Sequence, residues 1–162
     1  NSNTVLVHMK SRRMKIVSIV SIWISLVPMA ALADEPVPMV RLTATEIAAL
    51  AAAVPANSTG PTMTVLVGDP KLAGLYTVRV AIPAHTQVKP HTHRDNRSVT
   101  VLSGTWQMGY GTQFDAKVLK ELKPGSLFTE PAGQPHFSQT MDEPVVILVT
   151  GYGPNDTKFV TP

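Results

Sequence analysis

The sequence contains no cysteine in its 162 residues. No disulfide can brace the fold, so its hydrophobic core alone must hold it. No thiolate is available either, which leaves imidazole and oxygen as metal ligands and water, hydroxyl or amine as nucleophiles. An uninterrupted apolar run long enough to span a membrane is also missing. The most apolar stretch runs from Ile16 to Val27, against the roughly 20 residues that a spanning helix requires. Internal repeats and low-complexity tracts are absent as well.

The apolar stretch has a different reading. Lys10, Arg12, Arg13 and Lys15 precede it, and small residues ending in Ala31-Leu32-Ala33 follow. Basic residues, an apolar segment and an A-x-A ending form the pattern of a secretory signal peptide cut after Ala33, with an uncleaved membrane anchor as the alternative. The expectation is an exported protein, periplasmic or secreted, with no stable membrane anchor after cleavage. The basic balance then disappears. The whole chain carries +3 with 14 Lys and Arg against 11 Asp and Glu, but four of the 14 leave with the leader, so 10 stand against 11 in the remainder. A net charge near −1 gives no support to nucleic-acid binding.

Residues 1–33 are thus read as leader, 34–61 as a tether with one short helix, and 62–162 as the main domain. In the second segment, Thr43 with Glu46 fits a capping box, an alanine-rich run follows, and Pro55 closes it, which predicts a helix from about Ala44 to Ala53. Beyond residue 62 the character changes. Met63–Val67, Tyr76–Ile82, Ser98–Ser103, Thr105–Tyr110, Ser126–Thr129, His136–Met141 and Val145–Thr150 are short and rich in β-branched and aromatic residues. Gly68-Asp69-Pro70, Gly104, Pro124-Gly125 and Asp142-Glu143-Pro144 punctuate them. Many short strands with regular turn signals predict an all-β antiparallel sandwich or barrel. Lys117–Leu122 fits a strand or a helical turn, with a strand paired to its predecessor preferred. The tail from Gly151 to Pro162 reads as a final loop or edge segment.

Three of the five histidines stand in suggestive places. In an extended Pro90-His91-Thr92-His93 segment, alternate side chains share a face, so His91 and His93 point the same way. His136 opens a strand after the Pro131-Ala-Gly133-Gln-Pro135 turn. Two imidazoles on one face with a distant third make a metal set with open positions for water or substrate. An HxH fragment by itself also fits two solvent-facing loop histidines.

The spacing around these residues resembles the cupin family. Its first motif, G-x5-H-x-H-x3-E-x6-G, is met by His91, His93 and Gly104. Its second, G-x5-P-x-G-x2-H-x3-N, is met by Gly125, Pro131, Gly133 and His136. The resemblance implies a cupin-type antiparallel β-barrel (double-stranded β-helix, or jelly roll) and one divalent ion on His91, His93 and His136, with zinc, iron, manganese, nickel and copper not distinguished. Three positions depart from the motifs: His85 replaces the first glycine, Thr140 the final asparagine, and Arg97 the glutamate ligand. A guanidinium has donors only and stays protonated, so Arg97 cannot bind a metal. Asp95 is a candidate substitute, although a pairing with Arg94 or Arg97 is preferred for it. Ser103-Gly-Thr-Trp106 and Gly151-Tyr-Gly-Pro154 add a likeness to small exported cupins with an HxHxxxR first motif, and a homodimer is expected from resemblance.

Three functions fit these features. The first is a metal-dependent enzyme, an oxygenase, hydrolase or isomerase, acting on a small organic substrate. Arg97 would grip a substrate carboxylate, and Gln107 and Tyr110 are further candidate catalytic residues, though ordinary lining or surface is the simpler reading of each. The second is a non-catalytic module that binds or senses a metal or small ligand. The third is a dimerising structural barrel in which the triad is a relic.

Overall fold

The computed structural model describes residues 36–50 and 59–161. The leader and the end of the expected helix lie outside them. Helix α1 covers Ala44–Leu50 and buries no side chain. Its start is a reciprocal cap: the Glu46 amide donates to Thr43 Oγ1 at 3.2 Å, and the Thr43 amide donates to Glu46 Oε2 at 2.7 Å. These bonds satisfy donors that the first turn would otherwise leave free.

Among the described residues ten strands follow, in two antiparallel five-stranded sheets. One sheet has the order β1 (Thr62–Val67), β2 (Gly74–Ile82), β9 (Val145–Gly153), β4 (Arg97–Ser103) and β7 (Leu127–Glu130). The other has the order β10 (Lys158–Phe159), β3 (Gln87–Thr92), β8 (His136–Gln139), β5 (Trp106–Tyr110) and β6 (Lys120–Leu122). The all-β architecture with one short helix is therefore as the sequence implies. Between β5 and β6 the chain makes both structures considered for Lys117–Leu122, a 3-10 turn at Ala116–Val118 and then β6 paired with β5. The tail starts later than expected, because residues 151–153 continue the central strand β9, and beyond them it contributes an edge segment, with β10 pairing Phe159 opposite His91.

Side-chain alternation explains the core. Along β9, Val145, Ile147, Val149, Gly151 and Gly153 are buried while the residues between them are not. These valines and isoleucine meet Tyr76 and Val78 of β2, Val99 and Val101 of β4, and Trp106 and Met108 from the opposite sheet. Strand β8 is buried on both faces. His136 and Ser138 face inward, whereas Phe137 turns outward under Phe114, with ring centroids 5.1 Å apart. A Cβ at Gly109 would lie 2.9 Å from the Phe137 ring, so glycine there lets the ring close down on the sheet.

Two of the motif departures have a structural account. His85 keeps the left-handed backbone that the motif's glycine would supply, with φ of 56°. Histidine tolerates this region better than most side chains do. Thr140 is buried; its hydroxyl donates to the Pro83 carbonyl at 2.6 Å and accepts from the Thr86 amide at 2.9 Å. It thus fastens the end of β8 to the chain entering β3.

Candidate metal centre

Strand pairing brings the three histidines together. His91 near the end of β3 lies directly opposite His136 at the start of β8. His93 follows β3, and its backbone carbonyl accepts a 2.7 Å hydrogen bond from the Gly133 amide. The Pro131-Ala-Gly133 turn that leads into β8 therefore also fixes the end of the HxH segment. Gly133 makes this turn with φ of 71°, a conformation that a side chain would strain. Ring centroids are 4.8 Å apart for His91 and His93, 4.4 Å for His91 and His136, and 5.1 Å for His93 and His136. One ligand atom from each of the three falls within 4.8 Å of the others.

The hydrogen bonds identify which nitrogen each ring presents. Nδ1 of His91 lies 2.7 Å from the Lys89 carbonyl, Nδ1 of His93 lies 2.6 Å from the Asp156 carbonyl, and Nδ1 of His136 lies 3.1 Å from the Gln134 carbonyl. A carbonyl only accepts, so each Nδ1 carries the proton and each Nε2 keeps a lone pair. Pinning one nitrogen to a carbonyl to present the other is how metal-binding histidines are oriented. Nε2 of His136 is buried and makes no hydrogen bond, a cost that a ligated cation removes. Burial pushes the His91 imidazole down to about 4 and also lowers His93, with further lowering from neighbouring charge. Both are therefore neutral near pH 7, the form that binds metal.

Arg97 and Asp95 complete one side of the site. Asp95 is buried, accepting from the Tyr76 hydroxyl at 2.5 Å and from Arg97 Nε and Nη2 at 3.3 Å. The pairing with Arg97 expected from the sequence is thus the one found. Arg97 Nη2 also donates to the Asp156 carbonyl at 3.2 Å. Gly151 makes room for this cluster: a Cβ there would stand 2.5 Å from Tyr76 Oη and 2.7 Å from Asp95 Oδ2. The Gly151-Tyr-Gly-Pro154 segment thus admits the Tyr76–Asp95 contact and carries Asp156 to His93 and Arg97.

One residue was not singled out in the sequence. Glu130, the last residue of β7, is buried, with Oε1 3.4 Å from His136 Nε2, Oε2 3.6 Å from His93 Nε2, and Oε2 3.6 Å from Arg97 Nη1. Burial raises its carboxyl, but the hydrogen bond and charge that His136 brings when protonated, the charge of His93 in the same form and the permanent charge of Arg97 outweigh it and hold it below the ordinary value. Gln107 and Tyr110 are placed otherwise. Gln107 accepts from Gln139 at 2.6 Å and donates to Glu121 at 3.1 Å, while the Tyr110 hydroxyl donates to the Thr129 carbonyl at 2.6 Å. Neither lines the cavity beside the histidines.

That cavity has a volume of about 1250 Å³. The histidines, Arg97 and Glu130 give it a polar region, and Val80, Trp106, Met108, Phe128 and Ile147 are among its apolar walls. A large apolar chamber with a few convergent polar groups suits an organic ligand.

The family model described as Cupin matches residues 63–160. The chain belongs to the cupin family. No curated protein matches it. Among solved structures, the polyketide cyclase RemF from Streptomyces resistomycificus aligns with a TM-score of 0.60 at 19% identity, over 77% of this chain and 87% of that one. A structure of the DMSP lyases RdDddP and RnDddQII gives a TM-score of 0.53 at 19% identity, over 62% of this chain and 53% of that one. An oxalate oxidase gives 0.50 at 20% identity, over 65% and 57%. This cupin thus spans little more than half the length of the lyase and oxidase chains. At such identities the likeness is one of fold.

Proposed function

We propose that this cupin is a metal-dependent enzyme that holds one divalent ion on Nε2 of His91, His93 and His136 and acts on a small organic substrate. The observation that carries this reading is the set of three Nδ1–carbonyl contacts, which leave three lone pairs converging beside the cavity. An ion held by neutral imidazoles keeps its charge, so it can polarise a substrate oxygen or acidify a bound water. The apolar walls exclude water and take the body of the substrate. Arg97 has most of its N–H groups committed to Asp95 and Asp156, so Nη1 is the position from which it would meet a substrate carboxylate.

Lyase, cyclase and oxidase structures share this fold, which supports catalytic use of the barrel interior. Export is part of the proposal and rests on the basic, apolar and Ala31-Leu32-Ala33 order of the leader. Pairing into a homodimer is part of it too; Met63 and Val65 stand exposed on the edge strand β1.

The test is turnover by metal-loaded protein across small carboxylates, phenols and diketones, with zinc, iron, manganese, nickel and copper each supplied in turn. The expected result is metal-dependent turnover of one class, abolished in His136→Ala. Saturable ligand binding with no turnover under any metal would instead assign a binding or sensing module.

A further inference from the structure

The family motif places its carboxylate ligand on β4, where this chain has Arg97. Arg97 lies directly across the β4–β7 ladder from Glu130. Residues directly opposite in an antiparallel pair share a face, with Cβ atoms about 5 Å apart. The carboxylate missing from one strand is therefore present one strand over, facing the same interior. We propose that Glu130 supplies the fourth ligand to the ion held by the three histidines, entering from β7 in place of the motif glutamate, with Arg97 positioning it. This inference rests on the metal-binding reading above.

The geometry points to coordination. Ligand atoms about 2.1 Å from one ion stand about 3.4 Å apart in a tetrahedral site and about 3.0 Å apart in an octahedral one, and the octahedral site keeps positions open beside four protein ligands. Oε1 of Glu130 stands 3.4 Å from Nε2 of His136 and Oε2 stands 3.6 Å from Nε2 of His93, so the carboxylate turns one oxygen to each ring. With each Nδ1 protonated, these contacts set carboxylate lone pairs against imidazole lone pairs, a repulsion that a metal ion or a proton between them relieves. The charge count agrees. Arg97 is one permanent positive charge between two buried carboxylates, Asp95 and Glu130. Leaving one negative charge over in such a place is costly, and a divalent ion offsets it.

Asp95 cannot take this role without breaking its present bonds. Its oxygens are engaged by the Tyr76 hydroxyl and by Arg97 Nε and Nη2. Glu130 has one Arg97 contact, at 3.6 Å, and is otherwise directed at the imidazoles. The two acids thus divide the work: Asp95 holds Arg97, and Arg97 leans on Glu130.

The test uses the full chain, with Co²⁺ as a spectroscopic probe and Zn²⁺ affinity measured against a competing chelator. In Glu130→Gln the expected result is one ion per chain, bound more weakly by at least the roughly 10–100-fold that loss of an outer-shell partner costs, with a changed Co²⁺ visible spectrum that marks a changed ligand set. In Glu130→Asp, which keeps the charge for Arg97 but shortens the reach, the same changes are expected. The second variant carries the test if the first does not fold. Wild-type affinity and an unchanged spectrum in either folded variant would overturn the assignment of Glu130 while leaving the triad intact. A wild-type chain that binds neither ion would overturn the metal reading itself.

Discussion

The two sheets contribute different chemistry to the same interior. The sheet built on β3 and β8 supplies imidazoles, each held through Nδ1 by a backbone carbonyl. The sheet built on β2, β4 and β7 supplies Tyr76, Arg97 and Glu130, with Asp95 in the turn before β4. On the first side each ring is fixed by a carbonyl close at hand, and the rings depend little on one another. On the second side each charge is buried and satisfied only by its neighbours, so removing one exposes the next. The histidine side should therefore tolerate single changes in its fold while losing function, and the charged side should not.

Replacing Arg97 tests this contrast most severely. Arg97→Met would leave Asp95 and Glu130 buried without their cation, and urea unfolding of the metal-free protein should show a loss of about 3–5 kcal/mol. His136→Gln gives up one hydrogen bond to a carbonyl and should cost only about 1 kcal/mol in the same assay. Equal costs would break the distinction between the sheets.

Tyr76 sharpens it through pH. Burial first, and then the hydrogen bond to Asp95, push its hydroxyl up from 10 to about 12. Between those values the unfolded chain releases a proton that the folded chain keeps. The contribution is complete below pH 10 and lost as pH rises through 12. Wild type should therefore lose on the order of 2 kcal/mol more than Tyr76→Phe across that window. Parallel stability curves for the two proteins would contradict the coupling of Tyr76 to the buried charges.

The smallest effect lies at His85, away from both sets of side chains. His85→Gly removes a side chain from a left-handed backbone position and should raise stability by about 1 kcal/mol without altering metal affinity. Thermal unfolding and chelator competition check the two halves of that statement.

The contrast between the sheets also decides what could be read from the sequence. Strand periodicity and turn residues were sufficient for most of the β elements, and the xHxH alternation with the P-x-G-x2-H turn located all three imidazoles. Those signals are local: a parity of two along a strand, or a glycine at a turn that only glycine makes easily. Strand β3 itself was veiled by Lys89 and Pro90 within it, and β10 by its two-residue length. Glu130 was missed for another reason. Its relation to Arg97 is a register across two strands 33 residues apart, and no spacing along the chain encodes that register. A search for the absent carboxylate along the chain next to Arg97 finds Asp95, in the turn before β4, whereas a search across the ladder finds Glu130.

The central claim is that three Nε2 lone pairs converge to hold one ion. It is tested most directly by elemental analysis of protein purified without chelators and dialysed against limiting Zn²⁺, wild type beside His136→Ala. The account predicts close to one ion per chain in the wild type and almost none in the variant. Equal metal content in the two, or none in either, would contradict it.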